Sequence, residues 1–340
     1  LAGAGEHYRA ALADFQAIGD RLGAANTRLA LGDLALRQDD LAGAGEHYRA
    51  ALADFQAIGD RLGAANTRKA LGDLALRQDD LAGAGEHYRA ALADFQAIGA
   101  RLGAANTRKA LGDLALRQDD LAGAGEHYRA ALADFQAIGD RLGAANCFRG
   151  LGELALAKGH LDDAQRWAEQ AIASHHAIHD RYSVAMDQDL LGRVQAASGD
   201  INAASSTLRS AAMIYVDIGM QIWAAPVLSK LGDILVQAGQ QEESLVAYRD
   251  AIEIQPNQPW LRRNYANSLL KLGRLDEAAA QLDVAESLQP DAPYLALRRA
   301  ELAHARNDPA ETVRWAREAL RRQPGWDEAQ ALLAGADVAA

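Results

Sequence analysis

The sequence predicts an all-α chain built as a solenoid of helix-turn-helix hairpins, and three observations carry that expectation. Residues 1–40 and 41–80 differ only at Leu29 and Lys69, and residues 81–120 differ from 41–80 only where Ala100 replaces Asp60. Self-similarity at a fixed period of this size is the signature of stacked supersecondary units. Within each period, apolar residues recur at helical spacing twice, over 25–38 and 41–58, with the polar pair Asp39-Asp40 between them. No segment alternates apolar and polar residues over a useful length, and prolines are scarce outside the turns, so strands are not expected.

Taken in order, residues 1–24 supply a second helix with no first helix before it, leaving Leu1, Tyr8, Leu12 and Phe15 on an uncovered face. The chain begins at Leu1 without methionine and is expected to be a piece of a longer array, with a self-association surface as the alternative use of that face. The near-identical copies continue through Asn146 and diverge from Cys147, yet Leu31-Gly32 recurs as Leu151-Gly152, Leu191-Gly192 and Leu231-Gly232. The step then shortens, because Pro256, Pro290 and Pro324 follow one another at intervals of 34. Gly32, Ala44 and Ala51 are small where the helices of a hairpin approach. Leu31, Leu34, Tyr48 and Leu52 are expected to fill the space between hairpins, where truncating a buried Leu to Ala costs about 2 to 5 kcal/mol. Each hairpin needs neighbours to bury these side chains. From Trp326 onward, Trp326, Ala329, Leu332 and Leu333 share one side of a last amphipathic helix opposite Asp327, Glu328 and Gln330, a cap for the solenoid.

Composition narrows the function classes. At 340 residues, 49% hydrophobic and 24% charged, the chain has ordinary folded composition. A single cysteine, Cys147, excludes an internal disulfide framework and a multi-cysteine zinc site, which suits the cytoplasm. The net charge of -11 and pI near 5.3 speak against a nucleic-acid surface. No apolar run approaches the roughly 18 to 20 residues of a membrane-spanning helix.

These features resemble the tetratricopeptide repeat family, counted from the start of each first helix as 25–64, 65–104, 105–144, 145–184 and 185–224 in a long forty-residue form. The shorter form follows as 225–258, 259–292 and 293–326, with residues 327–340 as the cap. The family's pattern is met by Leu231, Gly232, Gly239, Tyr248, Ala251 and Pro256, with Ser244 in place of alanine. The next unit keeps Gly273, Ala278, Ala285 and Pro290 but has Ala266 for glycine, and the last has Ala300 and Thr312 as departures. The resemblance implies a right-handed superhelix of eight hairpins that acts as a noncatalytic scaffold, binding a protein or peptide on its concave groove. It also implies which first-helix positions line that groove: Asn66, Lys69, Asp73, Leu76 and Arg77, then Asn106, Lys109, Asp113, Leu116 and Arg117, then Arg149 and Glu153. Long forms of this repeat also occur as sensory arms of larger signalling ATPases and of transcription regulators, which is the alternative, alongside a self-assembling array.

Other candidates are weighed against simpler roles. Lys69, Asp73 and Arg77 are four apart and can form an intrahelical charge ladder worth about 0.2 to 0.5 kcal/mol per pair. Some family members clamp a terminal carboxylate with Lys and Asn at two groove positions; Arg263 and Asn267 stand there, but Ser229, Asp233, Leu297 and Glu301 leave the clamp incomplete. Trp260 and Tyr294 offer aromatic contacts or burial. His175 and His179 form an i, i+4 pair that Asp180 could complete as a metal site, although His175 stands where Phe55 and Phe135 pack. His7, His47, His87 and His127 are copies of one expected surface position. Cys147 is expected to pack as a small hydrophobe. No phosphate-binding loop, nucleophile elbow or His-Glu-x-x-His motif occurs, so no cofactor and no enzymatic activity are expected.

Overall fold

The period breaks into helices where its aspartates and glycines dictate. Asp20, Asp40 and Asp60 each accept a hydrogen bond from the amide three residues on, Gly23, Gly43 and Gly63, at 2.9, 2.9 and 3.0 Å. Such N-caps satisfy an amide that has no partner inside the helix. At the opposite ends, Gly59 and Gly139 turn the chain through left-handed conformations, at φ 75° and 76°. That conformation favours glycine and closes a helix C-terminus.

The computed structural model describes residues 2–339, and the side-chain surroundings of 3–336. Among them are eighteen helices and no strand. The chain divides into two compact units, Leu1–His179 and Asp180–Ala340. The first holds α1 (Ala2–Ala17) and then four hairpins, α2 (Arg21–Arg37) with α3 (Leu41–Ile58), α4 (Arg61–Arg77) with α5 (Leu81–Ala97), α6 (Arg101–Arg117) with α7 (Leu121–Ile138), and α8 (Arg141–Ala157) with α9 (Leu161–Ala177). The second holds α10 (Arg181–Ala197) with α11 (Ile201–Asp217), α12 (Gln221–Gln237) with α13 (Gln241–Ile254), α14 (Pro259–Lys271) with α15 (Leu275–Leu288), α16 (Pro293–Ala305) with α17 (Pro309–Arg322), and a last helix, α18 (Asp327–Ala339).

First helices begin at Arg21 and its copies, ahead of Ala25, from which the repeat was counted. Exposed Leu22 and side-chain-free Gly23 interrupt the apolar pattern there, whereas the Asp20 cap fixes the start. The division between units falls inside residues 145–184, at His179, which takes a left-handed φ of 60°.

In the first unit the core is itself periodic. Tyr48 packs with Ala35 and Ala44 against Leu71 and Leu74 of the next hairpin, and Tyr88 repeats the arrangement with Leu111 and Leu114. Phe55 packs with Ala25, Ala51 and Ala64, and Phe95 with Ala65, Ala91 and Ala104. Leu31, Leu34 and Tyr48 are buried as expected, and Leu52 lies half-buried beside both clusters. Arg28–Asp54, Arg68–Asp94 and Arg108–Asp134 ion pairs tie the two helices of each hairpin together.

In the second unit one continuous cluster runs from Ala185 to Leu302. Its shorter second helices, α13, α15 and α17, stop at Ile254, Leu288 and Arg322, just before Pro256, Pro290 and Pro324. Pro259 and Pro293 open α14 and α16, where the missing N–H costs nothing. The departures from the repeat pattern have local partners: the Ser244 hydroxyl meets that of Ser268 at 2.9 Å, and the Thr312 hydroxyl donates to the Asp308 carbonyl at 2.6 Å. At the end of the chain Ala329 is buried, with Trp326 and Leu332 packed around it. At the beginning Tyr8 is 39% exposed, while its copy Tyr48 is 1% exposed. Leu1, assigned to the same face, lies outside the described residues.

Ala100 stands where Asp20, Asp60 and Asp140 cap, and α6 has no side-chain cap. Ala100→Asp is expected to stabilise the chain by about 1 kcal/mol, the usual worth of an N-cap. The check is a higher urea midpoint at unchanged slope; an unmoved midpoint would contradict the capping role.

Candidate binding groove

The groove residues are set by a tyrosine that the repeat places on the second helix of each hairpin. The Tyr88 ring lies over Gly72 so closely that a Cβ there would meet its Cε1 at 2.5 Å. Gly32 makes the same room for Tyr48, at 2.4 Å, so these glycines accommodate a ring and not a close approach of two backbones. With its ring so held, the Tyr88 hydroxyl donates to Asp73 Oδ1 at 2.7 Å, and Lys69 Nζ lies 2.8 Å from Asp73 Oδ2. The next hairpin repeats this with Tyr128 on Asp113 Oδ1 at 2.8 Å and Lys109 on Oδ2 at 2.7 Å. In the first hairpin Tyr48 bonds Asp33 at 2.7 Å with Leu29 in the lysine's place. Each aspartate therefore anchors its own hairpin before any partner arrives.

Between these helices lies a pocket of about 320 Å³. Its walls include Lys69 and Asp73 from α4, Asn106, Lys109 and Asp113 from α6, and Asn146 from α8, with Leu76 and Tyr88 beneath. Asn66, Arg77, Arg117, Arg149 and Glu153 stand outside it. Arg77 donates to the Leu36 carbonyl of the preceding hairpin at 3.2 Å, so the charge ladder ends at Asp73. Asn66 and Asn106 are exposed, and Arg149 donates to Asn146 Oδ1 at 2.6 Å.

Burial first, and then the adjacent carboxylate, hold the Tyr88 and Tyr128 phenols well above the usual range, and Tyr48 and Tyr248 likewise. A phenol whose folded pKa is raised keeps its proton while the unfolded chain, titrating near pH 10, loses one. The stability these groups contribute is complete below about pH 10 and is lost as pH rises above it. Alkaline titration is expected to show phenolate absorbance from these tyrosines only as helicity falls. Full phenolate signal with helicity intact would contradict it.

The remaining candidates resolve differently. His175 is fully buried in the place of Phe55, and His179 sits in its left-handed turn. Among the described residues, no three His, Cys, Asp or Glu side chains are grouped to hold a metal. His47, His87 and His127 are half-buried, not a surface set, and burial pushes His127 below its ordinary pKa. Cys147 is fully buried, and burial pushes its thiol up to about 12, which removes it from thiolate chemistry at neutral pH. Arg263, the carboxylate-clamp candidate, lies over the Tyr294 ring at 4.7 Å and donates to Asn264 Oδ1 at 2.9 Å. Trp260 and Tyr294 pack half-buried against the core.

One charged cluster escaped the sequence reading. Lys230 Nζ lies 2.7 Å from Asp189 Oδ1, and Arg193 Nε lies 3.3 Å from Asp189 Oδ2. Arg193 and Lys230 border a pocket of about 500 Å³ with Ala196, Ala197, Ile201 and Ile234. The signal was present, since Asp189 and Arg193 stand three periods after Lys69 and Asp73 with the signs exchanged.

Family models decide the lineage of these hairpins. Models described as tetratricopeptide repeat match residues 103–175 and 265–325, and one described as TPR repeat matches 232–273. Residues 103–175 and 232–325 are tetratricopeptide repeats. Solved TPR-like structures agree in fold: BtubC (BKLC) from P. vanneervenii is 21% identical at a TM-score of 0.57, covering 63% of this chain and 91% of that one. A Rap protein complexed with competence and sporulation factor is 14% identical at 0.54, covering 92% and 99%. A tetratricopeptide repeat protein from Parabacteroides merdae ATCC 43184 is 14% identical at 0.52, covering 80% and 98%. No curated protein matches the chain. No helix among the described residues of this TPR chain is long and apolar enough to cross a membrane.

Proposed function

We propose that this chain is a noncatalytic protein-interaction scaffold of the cytoplasm whose first unit holds an extended segment of a protein partner along α4, α6 and α8. The observation that carries the reading is the 320 Å³ pocket in which lysine and aspartate come from both α4 and α6 and asparagine from both α6 and α8, so that each kind of polar side chain recurs on successive first helices. A reaction centre needs unlike groups converging, whereas a row of like groups at a fixed step suits a chain laid across it. Asn66 and Asn106 each offer a donor and an acceptor, which matches peptide main chain, and Lys69 and Lys109 keep two unused donors each after pairing with aspartate. Because each lysine is paired, the groove selects for hydrogen-bonding geometry more than for net charge. The Rap protein complexed with competence and sporulation factor is a precedent for a partner on this fold.

The test follows from Leu29, which fills the lysine place in the first hairpin while Tyr48 keeps its bond to Asp33. A Lys69→Leu/Lys109→Leu chain is therefore expected to fold. Its affinity for a partner isolated on the parent chain should fall about tenfold or more, equivalent to about 1.4 kcal/mol. Unchanged affinity at unchanged helicity would overturn the groove as the working surface. Reversing Asp73 or Asp113 is the poorer experiment, since it strips Tyr88 or Tyr128 of its partner.

A further inference from the structure

The corner between α11 and α12 departs from the repeat at five neighbouring places. Four periods earlier the chain has Ala53, Gln56, Asp60, Leu62 and Gly63; here it has Met213, Val216, Met220, Ile222 and Trp223. One of the changes costs the fold a cap, because Met220 replaces the aspartate that accepts from the Gly63 amide in the earlier corner and makes no side-chain cap; Trp223 stands in the place of that glycine. All five leave much of their surface open: Met213 is 66% exposed, Ile222 63% and Trp223 48%, with Met220 and Val216 also exposed. The turn is tight, with the Met220 amide bonded to the Tyr215 carbonyl at 2.7 Å and the Trp223 amide to the Met220 carbonyl at 2.9 Å, so the five side chains form one patch.

We propose that this patch is a two-fold self-association surface whose occupant is a second copy of the same chain. Its open area is on the order of 500 Å², close to the apolar share of the ~800 Å² per partner that a standard interface buries. Apolar residues scattered singly over a surface are ordinary, whereas a contiguous patch of this size ranks with the largest that a monomer carries and is often functional. The rim bears both signs: Arg181 and Asp217 pair at 3.0 Å, and both are more than half exposed. A two-fold axis brings a surface against itself, so each Arg181 can exchange its own carboxylate for the partner's Asp217. A partner of one charge sign would instead be met by a one-signed rim. The chain as a whole carries a charge of -11, whereas the Arg181–Asp217 pair at this corner adds no net charge to it.

The test reads the mass of the full chain by light scattering and by sedimentation across a wide dilution series. The parent is expected to pass from one copy to two and no further. Met220→Asp/Trp223→Gly restores the residues of the earlier corners, so it should fold at least as well, with helicity unchanged, and its dissociation constant should rise tenfold or more. Asp217→Arg should weaken the pair, and adding Arg181→Asp should recover most of the loss. A parent that stays monomeric throughout, or association unaltered by the Met220/Trp223 changes, overturns the proposal; in the second case the α1 face carrying Tyr8 is the contact.

Discussion

Phe95→Ala is expected to destabilise the chain by about 3 to 5 kcal/mol, the range for emptying a fully packed aromatic site. Phe95 is 1% exposed, and its ring joins Ala65, Ala91 and Ala104, so it fastens the hairpin α4–α5 to the first helix of the next one. A Cβ on Gly103 would meet the ring at 2.4 Å, which shows how little free space surrounds it. Its buried neighbours are alanines on three helix backbones, and Leu92 is the one larger side chain packed against the cluster, so little is at hand to refill the void. The loss is read as a lower midpoint in urea, and amide exchange should accelerate first in α4, α5 and α6. A change of less than about 1 kcal/mol would mean that the helices close up around the gap.

Gly72→Ala is expected to destabilise by about 1 to 3 kcal/mol, the cost of overpacking, although alanine is the better helix former by about 1 kcal/mol. The new methyl would fall 2.5 Å from Tyr88 Cε1, and the ring cannot retreat without releasing Asp73. Gly335→Ala, inside α18, is the control, since nothing lies within 4 Å of its Cβ position; there the ordinary gain of about 0.5 to 1 kcal/mol is expected. Equal effects at the two sites would remove the explanation of the Leu-Gly pair as a socket for tyrosine.

That pairing also shows what the sequence discloses and what it withholds. The hairpins were legible because the repeat displays helical periodicity twice per period, and the family followed from the Leu-Gly, Gly and Pro positions. The socket between the two helices is legible only in hindsight: Gly232 faces Tyr248, and Gly192 faces Leu208. The groove was half legible. Register placed Lys69, Asp73, Asn106, Lys109 and Asp113 together, but not the hydroxyl of Tyr88 on Asp73, because that contact spans fifteen residues and depends on how α5 lies across α4. The Asp189, Arg193 and Lys230 cluster joins two hairpins through a contact forty-one residues long, which no single helix pattern displays. The apolar corner at Met213 to Trp223 was hidden for another reason: apolar residues at helical spacing look the same whether a neighbour covers them or not.

The repeating clusters of the first unit have one more consequence. The surface that α3 offers to α4 is chemically the same as the one that α5 offers to α6, since the residues forming both are copies. Removing residues 41–80 in one piece would bring α2 directly before a faithful copy of α3, with every junction rebuilt from the same side chains. Gaining or losing a whole period is thus nearly silent to folding, while the groove grows or shrinks by one hairpin. Reach, in such a protein, can be adjusted in whole steps by unequal crossing-over of the coding repeats, leaving the chemistry of each step untouched.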